Sequence, residues 1–246
     1  MKFFFTSLSF FLLPLFCASQ INTSLDFVGG IDYSYRNMRA NKNPNSSDTT
    51  IVRIFDETEN GKVNFRFGFN FNKRISDKFI LKTGLRFTNL GYQRKYEQDE
   101  LRWGNQQTGG VFNPDNPSEQ SAISKFIYNY LFLEVPLIVR YEFTPKKLTA
   151  FVEFGFAPSL FLRTRHKIVS EEKTQVLDNS NIQNGFSNIN LVGVISFGGN
   201  YDLNENLQFF AQPTFRYHLT RLYKTGLVKE YLWNAGLEVG LRKRLK

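Results

Sequence analysis

His166 and His218 are the only two histidines in this 246-residue chain. His218 stands two positions before Thr220. An imidazole near a hydroxyl supports nucleophilic catalysis when a carboxylate orients the ring. Glu230 and Asp32 are the carboxylates that chain reversal could bring there, which would suit a lipid-modifying enzyme. A polar lining or rim histidine explains His218 with fewer requirements, so no catalytic residue is expected. His166 lies among Arg163, Arg165 and Lys167, where it would meet phosphate or, more simply, water. Asp178-Asn179-Ser180-Asn181 lacks the glycine and closing glutamate of a calcium loop. Phosphate-cradling glycine loops and zinc spacings are absent from the sequence, so neither metal nor cofactor is expected.

A second set of ionisable residues is more telling. Asp32, Glu134, Glu153 and Glu238, with Arg66, Lys82, Arg86, Arg140 and Arg216, all occupy the polar side of segments that alternate in polarity. Val63, Phe65, Phe67, Phe69 and Phe71, for example, are separated by Asn64, Arg66, Gly68 and Asn70. A β-strand sends successive side chains to opposite faces, so such a segment has one apolar and one polar face.

Eight segments read this way: 25–36, 63–72, 79–92, 127–143, 148–162, 186–201, 207–219 and 231–245. Most exceed the roughly 5–6 residues usual in soluble sheets and suit tilted strands crossing a bilayer. The gaps between them alternate. Residues 37–62, 93–126 and 163–185 are long; 73–78, 144–147 and 202–206 are short; 222–230 is intermediate. Outer-membrane barrels have short periplasmic turns and long external loops. The expected fold is an all-β, eight-stranded antiparallel up-and-down transmembrane β-barrel with both chain ends on the periplasmic side. Asn41–Thr50, Asn105–Ser121 and Asp178–Gly185 have the composition of solvated coil. Most tyrosines fall near expected external strand ends, with Tyr141 and Tyr201 at periplasmic ends. That suits rings seated at the membrane–water boundary.

Composition bounds the setting. Lys2 and the apolar run from Phe3 to Phe16, followed by Ala18 and Ser19, read as a secretory signal over residues 1–19. Residues 20–246 would then form one barrel domain. Phe16 is too bulky for a lipidation site at Cys17, and the run is shorter than the roughly 20 residues of a membrane helix. Cys17 is the sole cysteine, which excludes disulfides and thiolate metal sites in the mature chain. The formal charge is +9. For an exported protein, outer-membrane lipid headgroups and lipopolysaccharide phosphates are more natural counter-charges than nucleic acid.

The nine ionisable residues should therefore face inward. An eight-stranded barrel is only wide enough for side chains to fill, and unpaired buried charges are costly. They should pair into a polar plug, with Gly68, Gly84, Gly155 and Gly236 making room for the arginines. A substrate channel would need ten strands or more. Pro136, Pro158 and Pro213 lie inside strand segments and should cause bulges or weak pairing. A soluble lipocalin-like barrel, apolar face inward, is the competing arrangement.

The stretch Phe132-Leu133-Glu134-Val135-Pro136-Leu137, followed by Arg140-Tyr141, resembles the PorT-named family of outer-membrane β-barrels in the Bacteroidota. The next strand, from Glu153 and Gly155 to Pro158 and Leu160, is similar to the family's glycine-then-proline strand. The resemblance implies the barrel fold, the outer membrane and that phylum. It implies no common activity and supplies no catalytic residues. Some members are linked to type IX secretion and gliding, so an envelope or secretion-system partner is expected. The terminus Arg244-Leu245-Lys246 departs from the aromatic ending of many outer-membrane barrels.

Overall fold

A computed structural model of the protein describes residues 23–40, 46–95, 123–143, 147–170, 174–177, 185–224 and 228–245. The expected signal (1–19), Tyr96 and the tracts 105–121 and 178–184 lie outside them. The strands are β1 (Thr23–Ala40), β2 (Glu59–Arg74), β3 (Phe79–Lys95), β4 (Ile123–Glu134), β5 (Leu137–Glu142), β6 (Leu148–Ser170), β7 (Thr174–Leu177), β8 (Ile189–Asp202), β9 (Leu207–His218) and β10 (Val228–Leu245). One helix, α1 (Ser46–Thr58), precedes β2.

All named pairings are antiparallel, and β1 bonds to both β2 and β10, which closes the ring. The closing seam runs from Thr23↔Leu245 to Ala40↔Val228. Strands β4 and β5 are two halves of one wall strand; both lie between β3 and β6. Strand β7 pairs only with the outer end of β6 and stands outside the ring. The wall therefore has eight strands. The described residues hold no helix long and apolar enough to cross a membrane.

The alternation in sequence becomes an alternation of environment. Phe65, Phe67 and Phe69 are 50%, 54% and 46% exposed, whereas Asn64, Arg66 and Asn70 are 4%, 2% and 0% exposed. Ile31, Phe154, Ile195, Phe215 and Leu237 continue the apolar exterior around the ring. This is the inverse of a soluble lipocalin-like barrel, whose apolar face would turn inward.

Several expectations need correction. The first long gap is not coil throughout: β1 runs on to Ala40, and residues 46–58 are helical. The helix is held at the mouth by Phe55, whose ring lies under the guanidinium groups of Arg36 (5.3 Å) and Arg94 (5.0 Å). Phe186 does not begin a strand but makes an isolated bridge to Tyr223. Of the prolines, only Pro136 breaks a wall strand; Val135 N–H donates instead to Pro158 C=O at 2.9 Å. Pro158 and Pro213 keep register with Leu191 and Leu237 on one side. On the other the ladder is interrupted as expected: Pro158 has no register partner on β4 or β5, and Pro213 none on β8. The register shifts among the described residues lie elsewhere, near Leu162, within residues 61–66 and between Ile123 and Lys125.

Of the inward glycines, Gly68 faces an arginine as expected, a Cβ there lying 3.0 Å from Arg86 Cγ, and others act differently. A Cβ at Gly84 would sit 2.1 Å from Phe69 O, and one at Gly236 2.1 Å from Ile31 O. These positions need glycine because neighbouring backbone approaches closely, not to house arginine heads.

The interior is layered. An ionic middle is flanked at the periplasmic end by Val28, Phe151 and Phe210. At the external end an aromatic plug of Tyr92, Tyr130, Phe132, Phe161 and Phe186 closes over Leu90, Leu222 and Leu232. Tyr92 and Tyr130 are thus buried in the lumen, with their hydroxyls 3.2 Å apart, rather than seated at the lipid boundary.

Candidate functional site in the charged interior

Even-numbered positions on β1, β2 and β3 and on the inner side of β10 carry the acids and bases into the lumen. Arg66 bridges two carboxylates: its Nη1 is 2.5 Å from Asp32 Oδ1 and its Nε 3.0 Å from Glu238 Oε2. Arg86 grips Glu238 with two nitrogens, at 2.9 and 3.2 Å. Glu153 receives Lys82 Nζ at 2.5 Å, Arg140 Nε at 2.6 Å and Ser196 Oγ at 3.1 Å. Gln212 joins the two groups, donating through Nε2 to Glu153 Oε2 and Glu238 Oε1, each at 3.0 Å. Seven of the nine residues singled out in the sequence therefore form one connected network.

The other two, Glu134 and Arg216, pair with each other. Three charged residues of the network, besides the uncharged Gln212 and Ser196, escaped sequence reasoning. Arg242 donates to Asp26 at 2.7 and 3.1 Å, and lies 3.7 Å from Glu142. Asp26 shares the parity of Asp32, Glu142 that of Arg140, and Arg242 that of Glu238, so the signal was present. Their nearness to the strand ends disguised it.

At the external end Arg36 pairs with Glu59 and, at 2.7 Å, with Glu230, and lies 4.2 Å over the Tyr92 ring. Burial, reinforced by the Glu230 carboxylate, pushes the Tyr223 phenol up to about 12. Seven bases (Arg36, Arg66, Lys82, Arg86, Arg140, Arg216, Arg242) and seven acids (Asp26, Asp32, Glu59, Glu134, Glu142, Glu153, Glu238) are buried among the described residues. The buried charge is balanced.

His218 is buried beside Phe132 (5.3 Å between rings), and neither ring nitrogen has a hydrogen-bond partner. Thr220 Oγ1 accepts from Leu191 N at 2.9 Å, Glu230 is engaged by Arg36 and Asp32 by Arg66. None of these three groups hydrogen-bonds His218. His166 packs edge-on against Tyr128 at 4.9 Å. Groups of three or more residues able to hold a metal are absent among the described residues. A cavity of about 350 Å³ opens at the periplasmic mouth between Thr23, Ser24, Arg74, Ile80 and Arg244. Both arginines there are occupied, Arg74 by Glu142 (2.5 Å) and Arg244 by Asp202 (3.0 Å).

A closed cylinder with hydrocarbon outside and paired ions inside dissolves only in a bilayer. The protein is an outer-membrane β-barrel. No protein-family model matches the chain, and no curated protein matches its sequence. Among solved structures, the chain is similar to Neisserial surface protein A, with 11% identity over 91% of this chain and 97% of the other, at a TM-score of 0.47. It is similar to OprG from Pseudomonas aeruginosa, with 12% identity over 91% and 96%, at 0.46. It is also similar to the outer membrane protease OmpT from Escherichia coli, with 7% identity over 92% and 96%, at 0.42. These likenesses describe general shape, and no role is carried from them.

Proposed function

We propose that this outer-membrane β-barrel is non-enzymatic, of Bacteroidota PorT-like type, with residues 1–19 as its secretion signal and 20–246 as the barrel. It serves as an anchored scaffold whose external elements bind an envelope or secretion-system partner, while its wall contacts outer-membrane lipid and lipopolysaccharide. The observation that carries this reading is the balanced interior. Seven buried bases face seven buried acids, so the charged groups of the lumen balance one another in number. A conduction path or catalytic centre needs polar groups held for a visitor. What remains available is the rim, above all α1 at the external mouth.

Crosslinking and pull-down from native outer membranes, with the full barrel as bait, tests the reading. An envelope protein should be captured by the native chain and lost when residues 46–58 are replaced by a Gly-Ser linker of equal length. Capture indifferent to that replacement counts against a mouth-borne partner.

A lipid-modifying enzyme using His218 is the second reading, motivated by the unpartnered ring nitrogens. It predicts altered lipid A in cells carrying His218→Ala. Unchanged lipid A in the mass spectrum is the outcome expected here.

A further inference from the structure

Above the apolar belt the barrel exterior differs from side to side. On β6 the outward positions Leu148, Ala150, Val152, Phe154, Phe156, Pro158, Leu160 and Leu162 are all apolar, and the next three, Arg163, Arg165 and Lys167, are all basic. The register shift near Leu162 makes this boundary sharp, because Leu162 and Arg163 both face outward. Across the ladder Leu131 pairs with Arg163, Asn129 with Arg165 and Ile127 with Lys167. On the other flank of β4, Lys125 pairs with Lys95 of β3. Lys62 Nζ donates to Asn129 Oδ1 at 2.6 Å, which brings another ammonium to the same patch.

Like charges directly opposite on a sheet repel. None of Lys95, Lys125, Arg165 and Lys167 forms an ion pair among the described residues. The opposite arc, on β9, β10 and β1, is mainly aromatic, and its own facing cations differ in that Arg39, opposite Lys229, lies over the Tyr231 ring at 5.6 Å. Tyr33 and Trp233 lie 6.3 Å apart there, and Tyr217 and Tyr231 6.1 Å apart. An aromatic arc seats a barrel at any headgroup layer. Among the described residues no acid pairs with Lys95, Lys125, Arg165 or Lys167, which leaves these four cations open to an anion from outside the chain.

We propose that the outward face of β3, β4 and β6 is a binding site for the phosphorylated lipid of the outer leaflet, lipopolysaccharide. Its phosphates sit at Arg165 and Lys167, and its acyl chains lie along Leu131, Leu133, Leu160 and Leu162. Continuity between the two halves selects this occupant. A soluble polyanion would leave the exposed leucines unused, and an uncharged lipid would leave the cations uncompensated. The site rests on the outer-membrane reading and gives the lipid contact of that reading a place and an orientation.

The test uses the full chain reconstituted in nanodiscs, with native mass spectrometry against two probes: bisphosphorylated lipid A and the same lipid with its phosphates removed. The double variant Arg165→Ser/Lys167→Ser is compared with Lys243→Ser, which removes an exposed charge at the opposite mouth. Unboiled gel mobility checks that each variant is folded. The expected result is preference of the native chain for the phosphorylated lipid. Its apparent Kd should rise about tenfold or more in the double variant, since charge-assisted contacts to phosphate are the strong ones, and stay unchanged in Lys243→Ser. Equal binding of the two lipids, or a double variant indistinguishable from the native chain, overturns the site. So does competition by soluble dextran sulfate that displaces lipid A while the leucine face stays free. Failure of the native chain to insert at all would instead overturn the outer-membrane reading beneath it.

Discussion

Replacing Glu153 by alanine should cost about 3–5 kcal/mol of folding stability, the usual effect of removing one partner from a buried ion pair. The residue is fully buried and is the point where two cations converge, Lys82 Nζ at 2.5 Å and Arg140 Nε at 2.6 Å. Without it these two like charges remain side by side in a space closed by Phe151 and Phe210. The Arg140 guanidinium lies over the Phe151 ring at 3.7 Å, a contact worth far less than a carboxylate. Urea titration of the barrel in lipid vesicles, read by the mobility of unboiled protein, measures the loss. Glu153→Gln should fall between the two, because the amide oxygen still accepts a hydrogen bond but neutralises nothing. Lys82→Met/Glu153→Gln should recover part of the deficit by removing one cation with the anion, so the two changes will not add. A Glu153→Ala barrel within about 0.5 kcal/mol of the native one would mean that the lumen is wet and screens its charges. The plug would then be no plug.

How much of this was legible from the residues depends on the property concerned. Parity is local, and it carried most of the wall: any strand with Phe65, Phe67 and Phe69 on one side must put Arg66 on the other. It also pointed to Asp26, Glu142 and Arg242, which share the inward parity of their strands. They stand near the ends of the segments 25–36, 127–143 and 231–245, where a lumen position and a rim position look alike in sequence. The ring stays closed there, with Thr23 paired to Leu245, and an apolar layer of Val28, Phe151 and Phe210 lies beside these ions. Tyr92 and Tyr130 share the inward parity of Arg86 and Glu134 as well. Position along the strand suggested the lipid boundary, but facing direction decides where a ring goes. Which acid meets which base was not legible, since Glu238 and Arg86 are 152 residues apart and only ring closure brings them together. The parity slip expected near a proline occurs at Leu162 instead. Pro158 sits outward, in continuous register with β8 and opposite the Pro136 break on its other side, while the extra residue falls where the wall passes from hydrocarbon to water.

The assignment of inside and outside makes one further demand, and its expected effect is nearly as large. Phe154 is 54% exposed and lies between Val139 and Ile195 near the middle of the apolar belt. Phe154→Arg should destabilise the barrel in vesicles by about 2–4 kcal/mol, the cost of an arginine at the midplane of a transmembrane barrel. Leu148→Arg, at the periplasmic end of the same strand and still more exposed in the isolated chain, should cost only about 0–1 kcal/mol, because its head reaches water. Exposure alone predicts the opposite order or none, so the comparison isolates depth in hydrocarbon from mere surface position. In a protein that turned this face to water, Phe154→Arg would be harmless and would improve solubility without detergent. The two outcomes are several kcal/mol apart, and the same urea titration reads both.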